Sequence, residues 1–316
     1  MQPKLSPENI EVGKTRQDDI IIALMGPTGS GKSHFIDALF RTAAQHQRAG
    51  SSLESCTKKT QAIRLRNHPR YGDRLVLVDT PGFNDTQKSD FEVLKLISDW
   101  LKKSYAAGVK LTGIAFFHRI SDNRMAGTPH RNLRMFGELC GDKAAHNVVL
   151  VSTMWDTLER RTGEERERQL KQYFWKKMIE HGASVDRFEN TSQSAWSIID
   201  NIIERADVQE ALLLQEEMVD LGMRLNETSA GMVLLDSLQR LMATQQRVLE
   251  ELSRQQGSRN NPRDTAELRR EYERLQEDLE KTFAEAKAMK ISLPRRICLF
   301  FRRSKSFGSY AFIFLR

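Results

Sequence analysis

Short apolar runs rich in β-branched residues alternate with amphipathic stretches between residues 19 and 205. A short apolar run bounded by turn residues indicates a buried strand, whereas apolar residues at positions i, i+3 and i+4 indicate a helix. The predicted strands are 20–25, 60–66, 74–79, 111–117, 147–152 and 187–190. The predicted helices between them are 32–47, 89–106, 129–140, 163–181 and 195–205. This alternation predicts an α/β fold, in which a mostly parallel sheet carries helices on both faces.

After residue 205 the pattern changes to a heptad rhythm, with apolar positions that step by four and three residues. The first seam comprises Leu234, Leu238, Leu241, Gln245, Val248 and Leu252. The second comprises Leu268, Tyr272, Leu275, Leu279, Thr282 and Ala286. Between them lies the breaker 257–262, and Asp264 is the predicted N-cap of the second helix, with Glu267 as its capping-box partner. The pattern predicts an α-helical hairpin that folds onto its own α/β domain or forms an intermolecular coiled coil.

Composition divides the chain of 316 residues into four predicted segments. They are a disordered leader 1–18, the α/β domain 19–205, the helical or coiled-coil extension 206–290 and a basic-aromatic tail 291–316. The net charge of +7 comes from the end of the chain, because eight Lys or Arg residues and no acidic residue follow Glu285. Basicity confined to a tail argues against a nucleic-acid partner.

Cysteine usage and hydropathy predict the cellular setting. The three cysteines lie far apart without a C-x-x-C pair, which favours a reducing compartment over a disulfide framework or a zinc site. No signal peptide and no 18-residue apolar run is present, so we expect an intracellular, cytoplasmic protein. Basic residues beside aromatic ones in the tail suit peripheral contact with an anionic membrane surface. The alternative is a terminus that never packs, or a misassigned gene end.

The octapeptide GPTGSGKS at residues 26–33 fits the P-loop pattern G-x-x-x-x-G-K-[ST] and lies between a predicted strand and a predicted helix. Its glycines let backbone N–H groups wrap a phosphate chain at the positive end of the helix. Lys32 is expected to reach the β- and γ-phosphates, and the Ser33 hydroxyl to ligate Mg²⁺. The predicted nucleotide-binding residues of this loop are Gly26, Thr28, Gly29, Ser30, Gly31, Lys32, Ser33 and His34. We therefore predict a nucleotide-binding protein.

A second phosphate-facing segment is DTPGF at residues 79–83, which follows the strand 74–79. Asp79, at the strand end, is expected to hold Mg²⁺ through water, and the Gly82 N–H to sense a γ-phosphate. The loop between the first helix and the second strand is expected to supply a threonine that closes on both the metal and the phosphate. We favour Thr57 over Thr60, because Thr60 lies where the next strand should begin, and the alternative for either is an exposed loop residue.

Base recognition is expected where the strand 147–152 ends in TMWD, residues 153–156. The Asp156 carboxylate can accept hydrogen bonds from guanine N1 and N2, a donor pair that adenine does not offer. Guanine-binding sites of this kind usually carry the pattern [N/T]-K-x-D. Thr153 matches its first position, whereas Met154 replaces the lysine, whose stem covers the base.

A weaker base-binding element follows at the start of the helix 195–205. Ser194 and Ala195 resemble the [S/C]-A-K element that contacts guanine O6, and Trp196 replaces its lysine. Because two lysines of the usual pattern are missing, an ATP-dependent P-loop NTPase remains the alternative.

Taken together, residues 20–200 resemble the G domain of the translation-factor-class P-loop GTPases. Within that class they are similar to the septin, Toc and GIMAP lineages, and most closely to fungal GIMAP-related G-domain proteins. The motifs that carry the resemblance are GPTGSGKS, SCTK, DTPGF, HRISDNR, TMWD and SAW. The resemblance covers about 60% of the chain and stops before the helical extension. It implies GTP or GDP and Mg²⁺ as cofactors, GTP hydrolysis as the activity, and a homodimer formed across the nucleotide face. The heptad seams make association through the helices the alternative.

One residue bears on the hydrolysis rate. Phe83 stands where Ras-like enzymes carry a glutamine that orients the attacking water, and its side chain forms no hydrogen bond. We therefore expect slow hydrolysis in a nucleotide-controlled switch or assembly module. The predicted catalytic residues are Lys32, Thr57, His118 and Arg119, of which His118 or Arg119 is the candidate to position water. The alternative for His118 is a packing role. A scaffold that binds GTP without hydrolysing it and acts through its helices is the rival function.

Overall fold

The computed structural model describes residues 4–11, 14–40, 60–85, 87–122, 128–206, 210–256 and 262–289. The chain divides into two compact units, Met1–Ser237 and Leu238–Arg316. The first unit therefore continues past the predicted domain boundary at residue 205. The predicted metal ligand Thr57 and the tail 291–316 lie outside the described residues.

A seven-stranded sheet forms the centre of the first unit. Its strands are β1 (Ser6–Ile10), β2 (Ile20–Met25), β3 (Gln61–Arg66), β4 (Leu75–Asp79), β5 (Gly113–Arg119), β6 (Val148–Thr153) and β7 (Ser184–Arg187). Their spatial order is β1-β3-β4-β2-β5-β6-β7. All pairs from β4 to β7 are parallel, and the pairs β1–β3 and β3–β4 are antiparallel. The predicted mostly parallel sheet is confirmed, and the strand before the P-loop, β2, lies in its middle.

The prediction of a disordered leader is wrong for residues 6–10, which form the edge strand β1. This segment is polar and contains Pro7, which cannot donate to a ladder and is tolerated at a sheet edge. It is held by antiparallel pairing with β3 and by the ion pair of Glu8 with Arg66, 2.6 Å long. Backbone pairing rather than hydrophobic burial therefore orders this strand.

The last strand lies three residues before its predicted position of 187–190. β7 pairs with β6 over Ser184–Arg187. Phe188 follows the strand, is buried, and donates its backbone N–H to Ser152 O at 2.9 Å. The apolar Phe188 thus enters the core just after the strand, which is why the hydrophobic pattern placed the strand too late.

The helices of the first unit lie between these strands and after them. They are α1 (Lys32–Phe40), α2 (Asp90–Ala106), α3 (Thr128–Cys140), α4 (Arg160–Gln169), α5 (Lys176–Glu180), α6 (Ser192–Glu204) and α7 (Leu213–Gln215). A π turn, Leu170–Phe174, divides the predicted helix 163–181 into α4 and α5. Trp175 is fully buried at the end of this turn, and its backbone N–H donates to Leu170 O at 2.7 Å.

Apolar side chains cover both faces of the sheet. On one face, α1 and α6 pack on the strands, and the Phe35 ring meets Phe117 and Phe188 edge-on at centroid distances of 5.1 and 5.4 Å. On the other face, Phe116 of β5 stacks on Phe136 of α3, with centroids 4.2 Å apart. Successive residues of β5 thus point to opposite faces. The predicted placement of helices on both faces is confirmed.

A buried ion pair fixes the start of β2. Arg64 of β3 binds both carboxylate oxygens of Asp19, at 2.5 and 2.8 Å, and the two side chains are 2% and 0% exposed. Arg64 also donates to Asp73 O at 2.6 Å. Loss of either partner would leave a buried charge without its counterion, so replacing one of them should destabilise this end of the sheet.

Two long helices account for the extension, α8 (Ser229–Gln256) and α9 (Pro262–Ala288). The predicted N-cap Asp264 is wrong, because α9 already begins at Pro262. Proline suits the first helical position, since its φ is fixed and its missing N–H would have no helical partner. The helices themselves are confirmed, whereas their pairing as a hairpin or coiled coil stays a prediction.

The seam of the second unit differs by one position from the predicted heptad. Leu238, Met242 and Gln245 are buried, but the predicted seam residue Leu241 is 40% exposed. The burial thus follows spacings of four and three residues from Leu238. In the part of the chain that the structure describes, no helix combines the length and apolar character that crossing a membrane requires.

Candidate nucleotide-binding site

The P-loop connects the carboxyl end of β2 to the first residue of α1, as predicted. All three of its glycines have positive φ angles: Gly26 at 140°, Gly29 at 75° and Gly31 at 93°. A Cβ at Gly26 would lie 2.4 Å from Phe117 O, so this position also requires the absence of a side chain. The glycines therefore allow the loop to turn tightly beside β5, which leaves the start of α1 open to an anion.

Lys32 is buried against this loop. Its Nζ donates to Gly26 O at 3.1 Å and to Pro27 O at 3.0 Å. Burial lowers the pKa of Lys32 to about 8, and the charges of Asp79 and Asp85 act in the opposite direction. The ammonium group is thus mostly charged at neutral pH and is held by two weak carbonyl acceptors, which phosphate oxygens can replace.

Ser33 and Asp79, two of the predicted metal ligands, lie side by side. The Ser33 hydroxyl donates to Asp79 Oδ2 at 3.4 Å, and Asp79 is 4% exposed at the end of β4. A hydroxyl and a carboxylate are oxygen ligands of the type that Mg²⁺ prefers. These two residues therefore fit a magnesium ion, which needs further ligands from water and phosphate.

The DTPGF segment packs directly on the P-loop. Thr28 N donates to Phe83 O at 2.8 Å, and Phe83 N donates to Gly26 O at 3.3 Å. A Cβ at Gly82 would lie 2.4 Å from Thr28 N, so only glycine fits this approach. Phe83 is fully buried. Its ring therefore packs in the interior and offers nothing to a water molecule.

Asp85 is a residue of this site that sequence reasoning missed. Its Oδ2 accepts a hydrogen bond from the Thr28 hydroxyl at 3.3 Å, and its Oδ1 accepts from Gln87 N at 2.8 Å. Its charge also acts on Lys32. No known motif marks this position, and the only available signal was an aspartate two residues beyond the DTPGF run.

The two catalytic candidates at the end of β5 lie in different surroundings. Arg119 Nη1 is 3.4 Å from the position that a Cβ would take at Gly29, and Arg119 forms a 3.0 Å ion pair with Asp122. His118 is 4% exposed and meets the Trp175 ring edge-on, with centroids 6.1 Å apart. Burial lowers the pKa of His118 to about 4, so the imidazole is neutral at pH 7. The structure brings Arg119 to the P-loop and places His118 in the interior.

The end of β6 is tied to the P-loop through Thr153. Its hydroxyl donates to Ser30 O at 2.9 Å and lies 3.3 Å from His118 O. This predicted base-binding residue therefore positions the loop through its side chain. Within the described part of the chain, the buried Ser30 hydroxyl has no hydrogen-bond partner.

The turn after β6 presents the predicted guanine-binding carboxylate. Met154 adopts a left-handed conformation, with φ of 62°, and the residues Trp155–Thr157 form one 3-10 turn. Asp156 is exposed at the centre of that turn. The Thr157 hydroxyl donates to Met154 O at 2.7 Å and closes the turn. This geometry leaves the Asp156 carboxylate accessible to a ligand.

The weaker base element forms the N-terminus of α6. Ser194 N donates to the Thr191 hydroxyl at 3.1 Å, and the Ser194 hydroxyl accepts from Glu189 N at 3.2 Å. Ala195 is fully buried, and Trp196 Nε1 donates to Leu39 O at 3.3 Å. In the structure these residues cap the helix and pack on α1, and a base contact through Ser194 stays a prediction.

The sheet, the glycine loop and the lysine at the start of α1 define a P-loop nucleotide-binding domain of the α/β class. The model of the 50S ribosome-binding GTPase family matches residues 21–127, about a third of the chain. Fold and family match thus agree on a P-loop GTPase type of domain. No curated protein matches the sequence.

Solved structures to which this chain is similar include Toc33 from Arabidopsis thaliana and a bacterial elongation factor. Toc33 in complex with Mg²⁺ and GMPPNP is 14% identical, with a TM-score of 0.47, over 62% of this chain and 88% of that chain. A dimerization-deficient mutant of Toc33 is 12% identical, with a TM-score of 0.46, over 62% and 87%. The bacterial selenocysteine-specific elongation factor EF-Sec is 18% identical, with a TM-score of 0.39, over 59% and 28%. The expected likeness to fungal GIMAP-related proteins stays a prediction.

Proposed function

We propose that this chain is a Mg²⁺-dependent guanine-nucleotide-binding protein that hydrolyses GTP slowly. The observation that carries the proposal is the geometry of the P-loop. Its three glycines have positive φ angles, the Lys32 ammonium group contacts Gly26 O and Pro27 O, and Ser33 lies beside Asp79. The family match over residues 21–127 supports the choice of GTP as the substrate.

In this proposal the phosphates lie at the N-terminus of α1. Backbone N–H groups of residues 29–33 and the Lys32 ammonium bind the phosphate oxygens. Ser33 and Asp79 hold Mg²⁺, with Thr57 as the expected additional ligand, and the ion neutralises charge on the β- and γ-phosphates. The Gly82 N–H faces the γ-phosphate and links its presence to the DTPGF segment.

Asp156 is the residue proposed to select guanine. Its carboxylate accepts from N1 and N2 of the base, and an adenine in the same place would leave the carboxylate without those donors. Met154 lacks the amine of the usual lysine but keeps an unbranched stem that can cover the base. The rival ATP-dependent function rests on that substitution and on Trp196.

Slow hydrolysis is proposed because neither Phe83 nor His118 is suited to position the attacking water. Phe83 is buried and provides no hydrogen bond, and the His118 ring is buried against Trp175. Arg119 is 36% exposed at the lip of the P-loop, where a guanidinium can stabilise the charge that develops during phosphoryl transfer. We therefore assign the catalytic contribution of this chain to Arg119.

A GTP-bound scaffold that does not hydrolyse is the second candidate, because Phe83 stands in place of the usual water-positioning glutamine.

The proposed partner of either form is a second copy of the chain, bound across the nucleotide face or through the helices. We place the protein in the cytoplasm, with membrane-surface contact through the tail as a further proposal. Single-turnover hydrolysis measured at several protein concentrations distinguishes enzyme from scaffold.

The direct test is nucleotide binding by Lys32→Ala beside the exposed control variant Lys102→Ala. We expect the parent and the control to bind GDP and GTP with Mg²⁺, and Lys32→Ala to lose most of that affinity while its circular dichroism and melting temperature change little. Calorimetry gives the affinities. Equal binding by Lys32→Ala and the parent would refute the phosphate site.

A further inference from the structure

We propose that Glu167 and Arg187 are positioning residues for guanine recognition, because they clamp Trp155 and thereby fix the turn that carries Asp156. The proposal rests on the proposed function and extends it to a set of contacts that no motif predicted. None of these contacts involves the phosphate loop.

The Trp155 ring is held on several sides. Its Nε1 lies 3.1 Å from the Ser152 hydroxyl and 3.2 Å from Ser152 O. The Arg187 guanidinium carbon lies over the ring, 4.3 Å from its centroid, at a distance typical of a cation–π contact. A Cβ at Gly163 would lie 2.7 Å from Trp155 Cζ3, so α4 approaches the ring through a residue that has no side chain. Trp155 therefore has little rotational freedom.

Glu167 of α4 holds Arg187 and Ser152, two of the residues that contact Trp155. It is 3% exposed and accepts from Arg187 Nε at 3.0 Å, from Arg187 Nη2 at 2.7 Å and from the Ser152 hydroxyl at 3.2 Å. Lys171 Nζ adds a 3.1 Å contact. Burial alone would raise the pKa of Glu167, but the bonds from Arg187 and Lys171 outweigh it and hold the pKa below its ordinary value. The carboxylate is thus ionised and paired at neutral pH.

The network joins three elements at the base-binding end of the sheet. Arg187 ends β7, Glu167 belongs to α4, and Ser152 lies in β6 just before the turn. The two hydrogen bonds from Arg187 to Glu167 fix the plane of the guanidinium group. The guanidinium group in turn holds the Trp155 indole through the cation–π contact. Because Trp155 directly precedes Asp156, holding the indole also holds the backbone that presents the carboxylate.

A preorganised carboxylate binds two donors of one base edge without first losing conformational freedom. The usual lysine of this motif is absent here, and the Met154 side chain has no N–H or O–H group that could add to the backbone and hydroxyl bonds of Thr157 in the turn. The clamp from α4 and β7 stiffens the turn instead. Its loss should therefore weaken recognition of the base more than binding of the phosphates.

The test compares GDP with ADP, since the two share their phosphates and differ in the base. The key variant is Arg187→Met, which keeps an apolar stem and removes the guanidinium group. The variant Arg187→Lys keeps the positive charge but lacks the two parallel N–H donors of the guanidinium group. The matched control is Arg168→Met, because Arg168 forms an exposed pair with Glu165 on the same helix as Glu167. We expect Arg187→Met to lower the ratio of GDP to ADP affinity about tenfold, the cost of a misplaced hydrogen-bonding group. Arg187→Lys should lie between the parent and Arg187→Met, and Arg168→Met should equal the parent.

The two proposals fail in different ways. If the parent binds GDP and ADP equally, the guanine function is wrong, and the positioning role fails with it. If the parent prefers GDP and Arg187→Met keeps the same ratio while its melting temperature falls, the network is only structural and the guanine function stands. Should Arg187→Met not fold, the affinity ratio of Arg187→Lys decides the question, and an unchanged ratio contradicts the proposal.

Discussion

The environment of His118 makes its replacement a quantitative test of the structure. Burial lowers the pKa of His118 from 6.5 to about 4, whereas in the unfolded chain it titrates near its ordinary value. Between these values the unfolded state binds more protons, so the free energy of unfolding falls as the pH falls. From about pH 7 to about pH 5, this one group should remove about 2 kcal/mol of stability. His118→Phe removes the titration and keeps a ring beside Trp175.

The assay is urea unfolding at both pH values, for the parent, His118→Phe and the control His181→Gln, which changes an exposed histidine. We expect the loss of stability between the two pH values to be about 2 kcal/mol smaller in His118→Phe than in the parent and the control. GTP hydrolysis at neutral pH should be unchanged by His118→Phe. Identical pH dependence in all three proteins would show that His118 is not buried as described, and a strong loss of hydrolysis would restore it as a catalytic residue.

Three further changes test other parts of the molecule. Arg64→Met should cost about 3–5 kcal/mol in urea unfolding, because Asp19 stays charged and buried, while the more exposed Arg66→Met should cost much less; similar losses in both would contradict the buried pair. Asp85→Asn removes a negative charge beside the expected phosphates, so calorimetry should show tighter GTP binding, and weaker binding would refute the placement of this carboxylate. Arg119→Ala should lower single-turnover hydrolysis about tenfold or more, at nearly unchanged GDP affinity, and an unchanged rate would remove its proposed catalytic role.

Local pattern predicted most of the sheet because its strands are apolar and buried. β2, β4 and β6 lie within two residues of their predicted bounds. β1 was missed because backbone pairing at a sheet edge holds it, and such pairing leaves no hydrophobic signal. The π turn before Trp175 was missed because a single inserted residue hardly changes a helical pattern.

In the candidate site, too, the sequence predicted the residues that local motifs mark and missed the contacts that depend on the fold. Ser33 lies beside Asp79, and Gly82 packs on Thr28 of the P-loop, because one short motif follows the end of β2 and the other follows the end of β4. The contacts of Asp85 depend on how the segment after DTPGF folds back, and no local pattern encodes that. The clamp on Trp155 joins residues more than 30 positions apart, so only the fold reveals it.

Strand alternation could have separated the two catalytic candidates. Phe117 packs against α1, so in a regular strand Arg119 points to the same side and His118 to the other. The sequence contained this information once Phe117 was assigned to the α1 face. That assignment required knowledge of which helix covers which face.

The central claim is that Asp156 selects guanine above a P-loop. Its most direct test is calorimetric binding of GDP, ADP and XDP to the parent and to Asp156→Asn, with Mg²⁺ present. We expect the parent to prefer GDP over ADP by about a hundredfold or more, since a missing hydrogen-bond pair is costly. We expect Asp156→Asn to prefer XDP, whose N1–C2 edge complements an amide. Equal affinity of the parent for GDP and ADP, or an unchanged GDP preference in Asp156→Asn, would contradict it.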